Sequence, residues 1–284
     1  MATSVFKAGN SALITGGASG IGLALAKKCH NYGMRVAIVD INKDNLEKAK
    51  TSIGEQTSTF VVDVSKIDEW SELKKSVEKD FGRIDLLALN AGVGGKGSWT
   101  DTAYFHKIID TNLFGVINGI STFLPSIQAS ASASDPAAIV ITGSKQGITN
   151  PPGNPAYNAS KSAVKSIAEH LSYDLRAKDG EEKAPINVHF LVPGWTFTGL
   201  TGGGNTTTKP DEAWAPEQVV DYLEKKMAEE QFWVICPDNE VTEEMDKKRM
   251  LWTAGDAVEG RPPLTRWRPE WKEKAADWMA KTKV

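Results

Sequence analysis

The chain has 284 residues, of which 40% are hydrophobic and 24% charged, enough for one large domain or two small ones with a sizeable core. The formal net charge of −3 argues against nucleic acid or an anionic membrane surface as the main partner.

Residues 11–15 form a short apolar run that stops at Gly16 and reads as a buried strand. Gly16-Gly17-Ala18-Ser19-Gly20-Ile21-Gly22 follows, and a helical pattern then runs to about Gly33. Strand, glycine-rich turn and helix is the context of a nucleotide-binding turn, in which helix-start amides face the phosphates. The spacing is G-x-x-x-G-x-G rather than the commoner G-x-G-x-x-G. Residues 35–40 are a second strand ending in Asp40, about 20 residues past the glycines, where an acid accepts hydrogen bonds from an adenosine ribose. A carboxylate there would repel a ribose 2′-phosphate, so NAD is expected over NADP, partly offset by nearby Lys43. The alternative for Asp40 is a helix N-cap.

Residues 43–53 read as a helix, 59–64 as a third strand, and 67–81 as a helix with Trp70, Leu73 and Val77 on one face. Residues 84–89 form a fourth strand ending in Asn90-Ala91-Gly92. This alternation predicts β-α-β units and a parallel sheet. Gly94 to Gly97 reads as a mobile loop. One long helix is expected from 102 to about 127, with a polar Asn112 that needs a partner if buried. A helix-packing hydrogen bond and a catalytic task are equally open for it. Residues 129–134 are a low-complexity loop, and 137–143 a fifth strand with Ser144 directly after it.

Tyr157 and Lys161 lie one turn apart on a helix that starts after Pro155. A phenol has a pKa of about 10, and a nearby cation favours its anion, which makes Tyr157 a candidate general acid/base. Residues 186–192 are a sixth strand closing at Pro193-Gly194. Residues 198–210, with Gly202, Gly203 and Gly204, are a candidate lid. A helix over 215–230 and a seventh strand over 231–237 follow. The last fifty or so residues carry Trp252, Trp267, Trp271 and Trp278. They read as an extension whose tryptophans pack on the main body, with a subunit contact or a substrate cover as the alternative.

Cys29 and Cys236 sit far apart in apolar patterns and are expected to be reduced core thiols. The four histidines lack metal-ligand spacing, so no metal site is expected. No apolar run reaches the ~18 residues of a membrane span. Residues 1–11 lack the basic-then-apolar pattern of a secretory signal, so a cytoplasmic location is expected by default.

In their order along the chain these motifs resemble the short-chain dehydrogenase/reductase family. The match runs from about residue 11 to 236. Gly16, Ser19, Gly20, Ile21 and Gly22 match the cofactor turn, Asp63-Val64 the adenine contact, and Asn90 with Gly92 the strand-four motif. Asn112, Ser144, Tyr157 and Lys161 match the catalytic tetrad, and Pro193, Gly194, Thr196 and Thr198 the segment that holds the nicotinamide. The resemblance implies an α/β fold: a Rossmann-type, doubly wound, seven-stranded parallel sheet of order 3-2-1-4-5-6-7, flanked by helices. It further implies a single domain over residues 1–284, its tail from 237 onward departing from the minimal family pattern, assembled as a homodimer or homotetramer.

The implied activity is NAD(P)-dependent interconversion of a secondary alcohol and a ketone. Ser144 would donate to the carbonyl oxygen and Tyr157 would exchange the proton. Lys161 would lower the Tyr157 pKa and hold the nicotinamide ribose, and Asn112 would anchor a water. Lys145 is expected to point to solvent, whereas pointing inward it would favour an anionic substrate. Trp99, Trp195, Ile148 and Phe197 are expected to line an apolar cleft for a mainly hydrophobic skeleton. Two alternatives are an NAD(H)-sensing scaffold without turnover and a non-redox isomerase or cyclase of the same fold.

Overall fold

The computed structural model describes residues 5–177, 184–202 and 208–284. Its strands are β1 (Ser11–Thr15), β2 (Arg35–Asp40), β3 (Ser58–Val61), β4 (Leu86–Leu89), β5 (Ala137–Thr142), β6 (Ile186–Val192) and β7 (Trp233–Ile235). They form one sheet in the order β3-β2-β1-β4-β5-β6-β7, and every pair is parallel. The expected α/β doubly wound architecture and strand order are therefore present. Between strands run α1 (Gly20–Asn31), α2 (Lys43–Ile53), α3 (Ile67–Phe81), α4 (Thr102–Ile109), α5 (Gly115–Ser130), α6 (Lys145–Thr149), α7 (Pro155–Asp174) and α8 (Pro216–Ala228).

The unbroken apolar runs of β1, β4 and β5 follow from cover on both faces. Successive side chains point to opposite sides. Leu13, Leu87 and Ile139 join one buried cluster with Trp70, Phe123 and Val164 of α3, α5 and α7. Ala12, Ile14, Leu86 and Ala88 join the other with Leu25, Leu46 and Leu223 of α1, α2 and α8. A right-handed parallel sheet with both faces covered leaves the carboxyl ends of its strands as the open edge.

Several boundaries differ from expectation. β3 ends at Val61, so Asp63 and Val64 lie in the connection after it. The carbonyl of Val64 accepts from Trp70 Nε1 at 2.8 Å and Asn118 Nδ2 at 3.1 Å, which turns the chain out of the sheet. The expected helix over 102–127 is α4 and α5 joined by a π-helical turn, Asp110–Phe114, that contains Asn112. A π turn inserts one residue and rotates everything after it, and such turns collect where a side chain must be redirected. In the 94–97 loop the Gly97 backbone lies against Tyr104, where a Cβ would come within 2.3 Å of Cγ. Gly203 and Gly204 of the candidate lid lie outside the described residues.

The segment beyond residue 237 carries α9 (Glu243–Val258) and α10 (Lys272–Lys281). Trp252 and Trp278 meet edge to face, with centroids 5.6 Å apart. Trp252 Nε1 donates to Thr265 Oγ1 at 2.9 Å, and the Arg261 guanidinium lies 4.0 Å over the Trp252 ring. These tryptophan contacts are within the extension itself, and α9 packs on α6 beside the open edge of the sheet.

Trp70 is fully buried between α3 and α5. Trp70→Ala is expected to lower unfolding free energy by ~3–5 kcal/mol. Trp70→Phe keeps most of the volume and leaves the Val64 carbonyl bonded to Asn118, so about 1–2 kcal/mol is expected. Urea unfolding of both variants checks the ratio.

Candidate active site

The site begins where β1 stops. Gly16 and Gly20 have φ of 63° and 52°, the left-handed region that glycine enters without penalty. A Cβ on Gly22 would lie 2.2 Å from the carbonyl oxygen of Gly16, so only glycine lets α1 start this close to the turn. The first turn of α1 holds no acid, and Ser19 makes no side-chain cap bond. Its amides and the positive end of the helix therefore suit an anion.

Neighbouring strand ends are tied together. Thr15 Oγ1 accepts from the amides of Asn90 at 2.9 Å and Ala91 at 3.0 Å. Asn90 Nδ2 donates to the Thr15 carbonyl at 3.2 Å, and Thr142 Oγ1 donates to Asn90 Oδ1 at 3.1 Å. Asn90 thus joins β1, β4 and β5 at their carboxyl ends. Asp40 accepts from the Ala18 amide at 3.3 Å and the Asn42 amide at 3.1 Å. The N-cap of α2 is Asn42, not Asp40, because Asn42 Oδ1 accepts from the Asn45 amide at 3.0 Å.

A cleft of about 950 Å³ runs along this edge. Gly16, Ser19, Gly20, Ile21, Asp40, Asp63, Val64, Asn90 and Gly92 line one stretch of it. Ser144, Tyr157, Lys161, Pro193, Gly194, Thr196 and Thr198 line the other. Of the expected site residues, Gly22 and Asn112 do not line it.

Ser144 caps α6, its Oγ accepting from the Gln146 amide at 3.1 Å, and it lines the same cleft as Tyr157. Lys161 is buried on α7, and its Nζ donates to the Thr142 carbonyl at 2.8 Å. Burial pushes the Lys161 ammonium down to about 8. Burial also raises the Tyr157 phenol above its ordinary value, opposed by the Ser144 hydrogen bond. This is opposite to the direction expected from the sequence. The phenol has lost water, and the ammonium, 5.9 Å from the ring centroid, is directed at the Thr142 carbonyl.

Asn112 is fully buried, and its side chain is committed to packing. Its Oδ1 accepts from the Val93 amide at 2.8 Å, while Nδ2 donates to the Val93 carbonyl at 3.0 Å and Ser160 Oγ at 3.1 Å. These bonds fasten the π turn to the segment after β4 and to α7.

Other expectations need correction. Lys145 points inward and is ion-paired rather than solvent-facing. Ile148 belongs to the core, and Trp99 is 79% exposed against Phe105. Phe197 borders a smaller pocket behind Gly20 and Thr198. Trp195 does line the cleft, joined by Leu200, which reaches across to the Gly94 backbone. Sequence reading missed Thr15 and Thr142 as strand-end ties, although a shared Thr-Gly ending of β1 and β5 was visible. Among the described residues no group of three or more His, Cys, Asp or Glu is placed to hold a metal, and no helix is long and apolar enough to cross a membrane. Cys29 and Cys236 are buried and free, and burial pushes both thiols up to about 12.

The lowered pKa of Lys161 carries a sign. The folded state binds this proton more weakly than the unfolded chain, so the ammonium is destabilising below about pH 8 and the effect fades as pH rises toward 10.5. Lys161→Met should therefore show its best stability relative to the parent at pH 7 and lose ground by pH 10. Parallel urea titrations at the two pH values measure this.

Residues 10–209 match the short chain dehydrogenase family. The NADP-dependent (R)-specific alcohol dehydrogenase of Lentilactobacillus kefiri is 33% identical over 196 residues, 68% of this chain and 75% of that protein. The 1-deoxy-11-beta-hydroxypentalenate dehydrogenase of Streptomyces avermitilis is 28% identical over 258 residues, 86% of this chain and 90% of that protein. Among solved structures, a short chain dehydrogenase/reductase from Burkholderia phymatum in complex with NAD superposes with a TM-score of 0.77 at 24% identity, covering 91% of this chain and 97% of that one. The 3-ketoacyl-(acyl-carrier-protein) reductase of Brucella melitensis complexed with NADH gives 0.70 at 26% identity, covering 82% and 98%.

Proposed function

The chain belongs to the short-chain dehydrogenase family of oxidoreductases, and from that premise we propose that it interconverts a secondary alcohol and a ketone with NAD, using Tyr157 as general acid/base. The observation that carries the reading is the convergence of Ser144, Tyr157 and buried Lys161 in one cleft with the glycine turn. The residues present fit a nicotinamide dinucleotide. The first turn of α1 suits its pyrophosphate, Asp40 its adenosine ribose, and Gly92 with Pro193, Gly194, Thr196 and Thr198 the wall around the reacting end. Bound there, the dinucleotide supplies the hydride acceptor or donor.

In ketone reduction, negative charge grows on the carbonyl oxygen. The Ser144 hydroxyl donates a hydrogen bond to it, and the Tyr157 phenol delivers a proton to it. In alcohol oxidation the phenolate removes the hydroxyl proton. Lys161 keeps a positive charge near the phenolate, so the anion is not left uncompensated in a buried site. Burial holds Tyr157 in the phenol form at neutral pH. Oxidation should accordingly accelerate as pH rises, and reduction should slow.

The substrate side is walled by Trp195, Leu200 and Val93, which suits a neutral, mainly hydrophobic carbon skeleton. A homodimer or homotetramer is the proposed assembly, as is usual in the family.

Tyr157→Phe is expected to reduce turnover at least about 100-fold, the scale of lost general acid/base catalysis, with NADH binding kept. Neutral secondary alcohols and ketones assayed with all four nicotinamide forms, following nicotinamide absorbance, provide the check. An isomeric product without absorbance change would replace this reading with isomerisation. Asp40→Ala is expected to weaken NADH binding about tenfold and to narrow its advantage over NADPH. Tighter binding of NADPH by the unaltered protein would overturn the NAD assignment.

A further inference from the structure

Lys145 is a site residue without a role in the reaction above. It follows Ser144 directly and lines the cleft, and its ammonium is ion-paired to two carboxylates. Its Nζ lies 2.9 Å from Asp238 Oδ2 and 2.7 Å from Asp246 Oδ2, and the three side chains are 14%, 8% and 0% exposed. Arg249 Nη1 pairs with the other oxygen of Asp246 at 3.1 Å. Arg266 also lies close enough to feel the charges of both Asp246 and Arg249. Both acids come from the segment beyond residue 237, outside the part matched by the family.

This node bears directly on the cleft wall. A Cβ on Gly194 would come within 2.7 Å of Asp238 Oδ2 and 2.8 Å of Lys145 Nζ, so only glycine lets the wall approach the pair. Asp238 Oδ2 also accepts from the Trp195 amide at 3.3 Å. Its Oδ1 accepts from the amides of Glu240 at 3.1 Å and Val241 at 2.8 Å, which fixes the carboxylate on its own loop. Ser144, by contrast, is held by the Gln146 amide, a contact that does not involve the Lys145 ammonium.

We propose that Lys145 is a positioning residue through which the carboxyl-terminal extension, by Asp238 and Asp246, sets the place of Gly194 and Trp195 and so shapes the pocket for the substrate skeleton. The assignment of that pocket rests on the oxidoreductase reading above. A buried ion pair broken from one side leaves an uncompensated charge, and the segment bonded to it relaxes. Because Ser144, Tyr157 and Lys161 keep their own contacts, the effect falls on substrate binding rather than on proton transfer.

The test uses the full chain with Asp246→Asn, an isosteric change remote from the cleft, and Trp195→Ala. Hydrogen exchange at the Trp195 amide and acetophenone reduction with NADH are measured for each variant and for their combination. Asp246→Asn is expected to speed exchange at Trp195 about tenfold and to raise KM for acetophenone about tenfold, with kcat and the NADH dissociation constant changed less than about threefold. The double variant is expected to show no further rise over Trp195→Ala alone. Unchanged exchange at Trp195, or lower stability with unchanged KM, overturns the proposal. If Asp246→Asn does not fold, Lys145→Gln carries the same measurements. Should the unaltered protein reduce no ketone at all, the oxidoreductase reading fails, while exchange at Trp195 still decides whether the extension holds that wall.

Discussion

A lysine ammonium buried at the edge of a parallel sheet is the constraint around which the site is assembled. Lys161 gives up hydration and keeps a hydrogen bond to the Thr142 carbonyl, the last of β5. That bond requires α7 to run close beneath the strand end. Gly147 of α6 makes room, since a Cβ there would lie 2.7 Å from the Lys161 carbonyl oxygen. Gly92 faces the same ammonium, with its would-be Cβ 3.6 Å from Nζ. The close crossing of α6 over α7 brings Ser144, at the start of α6, to Tyr157, one turn before Lys161. A cation without water is costly, and the Thr142 carbonyl supplies the polar partner that holds it there.

The same edge supplies the glycine-turn end of the cleft. Parallel strands all finish on one side, and the hydrogen bonds of Thr15, Asn90 and Thr142 hold three of those ends together. The glycine turn after β1 and Asp40 after β2 then face a common space. Asn112 works at one remove. The π turn places its amide against both backbone groups of Val93, and the segment leaving β4 is thereby held against α7 through Ser160.

The far wall has a different origin. Gly194 and Trp195 leave β6 and meet the Lys145–Asp238–Asp246 node, so electrostatics within the extension reaches the substrate side of the cleft. Burial raises the Asp238 carboxyl, but the hydrogen bond and charge of Lys145, with the amides of Trp195 and Val241, bring it below its ordinary value. The carboxylate is thus kept ionised, and the node stays closed at neutral pH. An appended segment of mixed charge has become part of the site's framework.

The sequence by itself determined the parallel sheet and the residues collected at its edge, while the strand order came with the family resemblance. Alternating apolar runs and helical periods are local patterns, and a right-handed β-α-β path leaves few ways to arrange them. Gly16 to Gly22, Asp40, Ser144, Tyr157 and Lys161 could be named because each carries its chemistry beside an element boundary. Tertiary structure alone decided what depends on contacts between distant segments. It turned Lys145 inward, because Asp238 and Asp246 arrive from nearly a hundred residues away. It raised the Tyr157 phenol, because desolvation depends on everything packed around the ring. It broke one expected helix with a π turn at Asn112, because the polar groups of Val93 needed partners, and no period in the chain records that need.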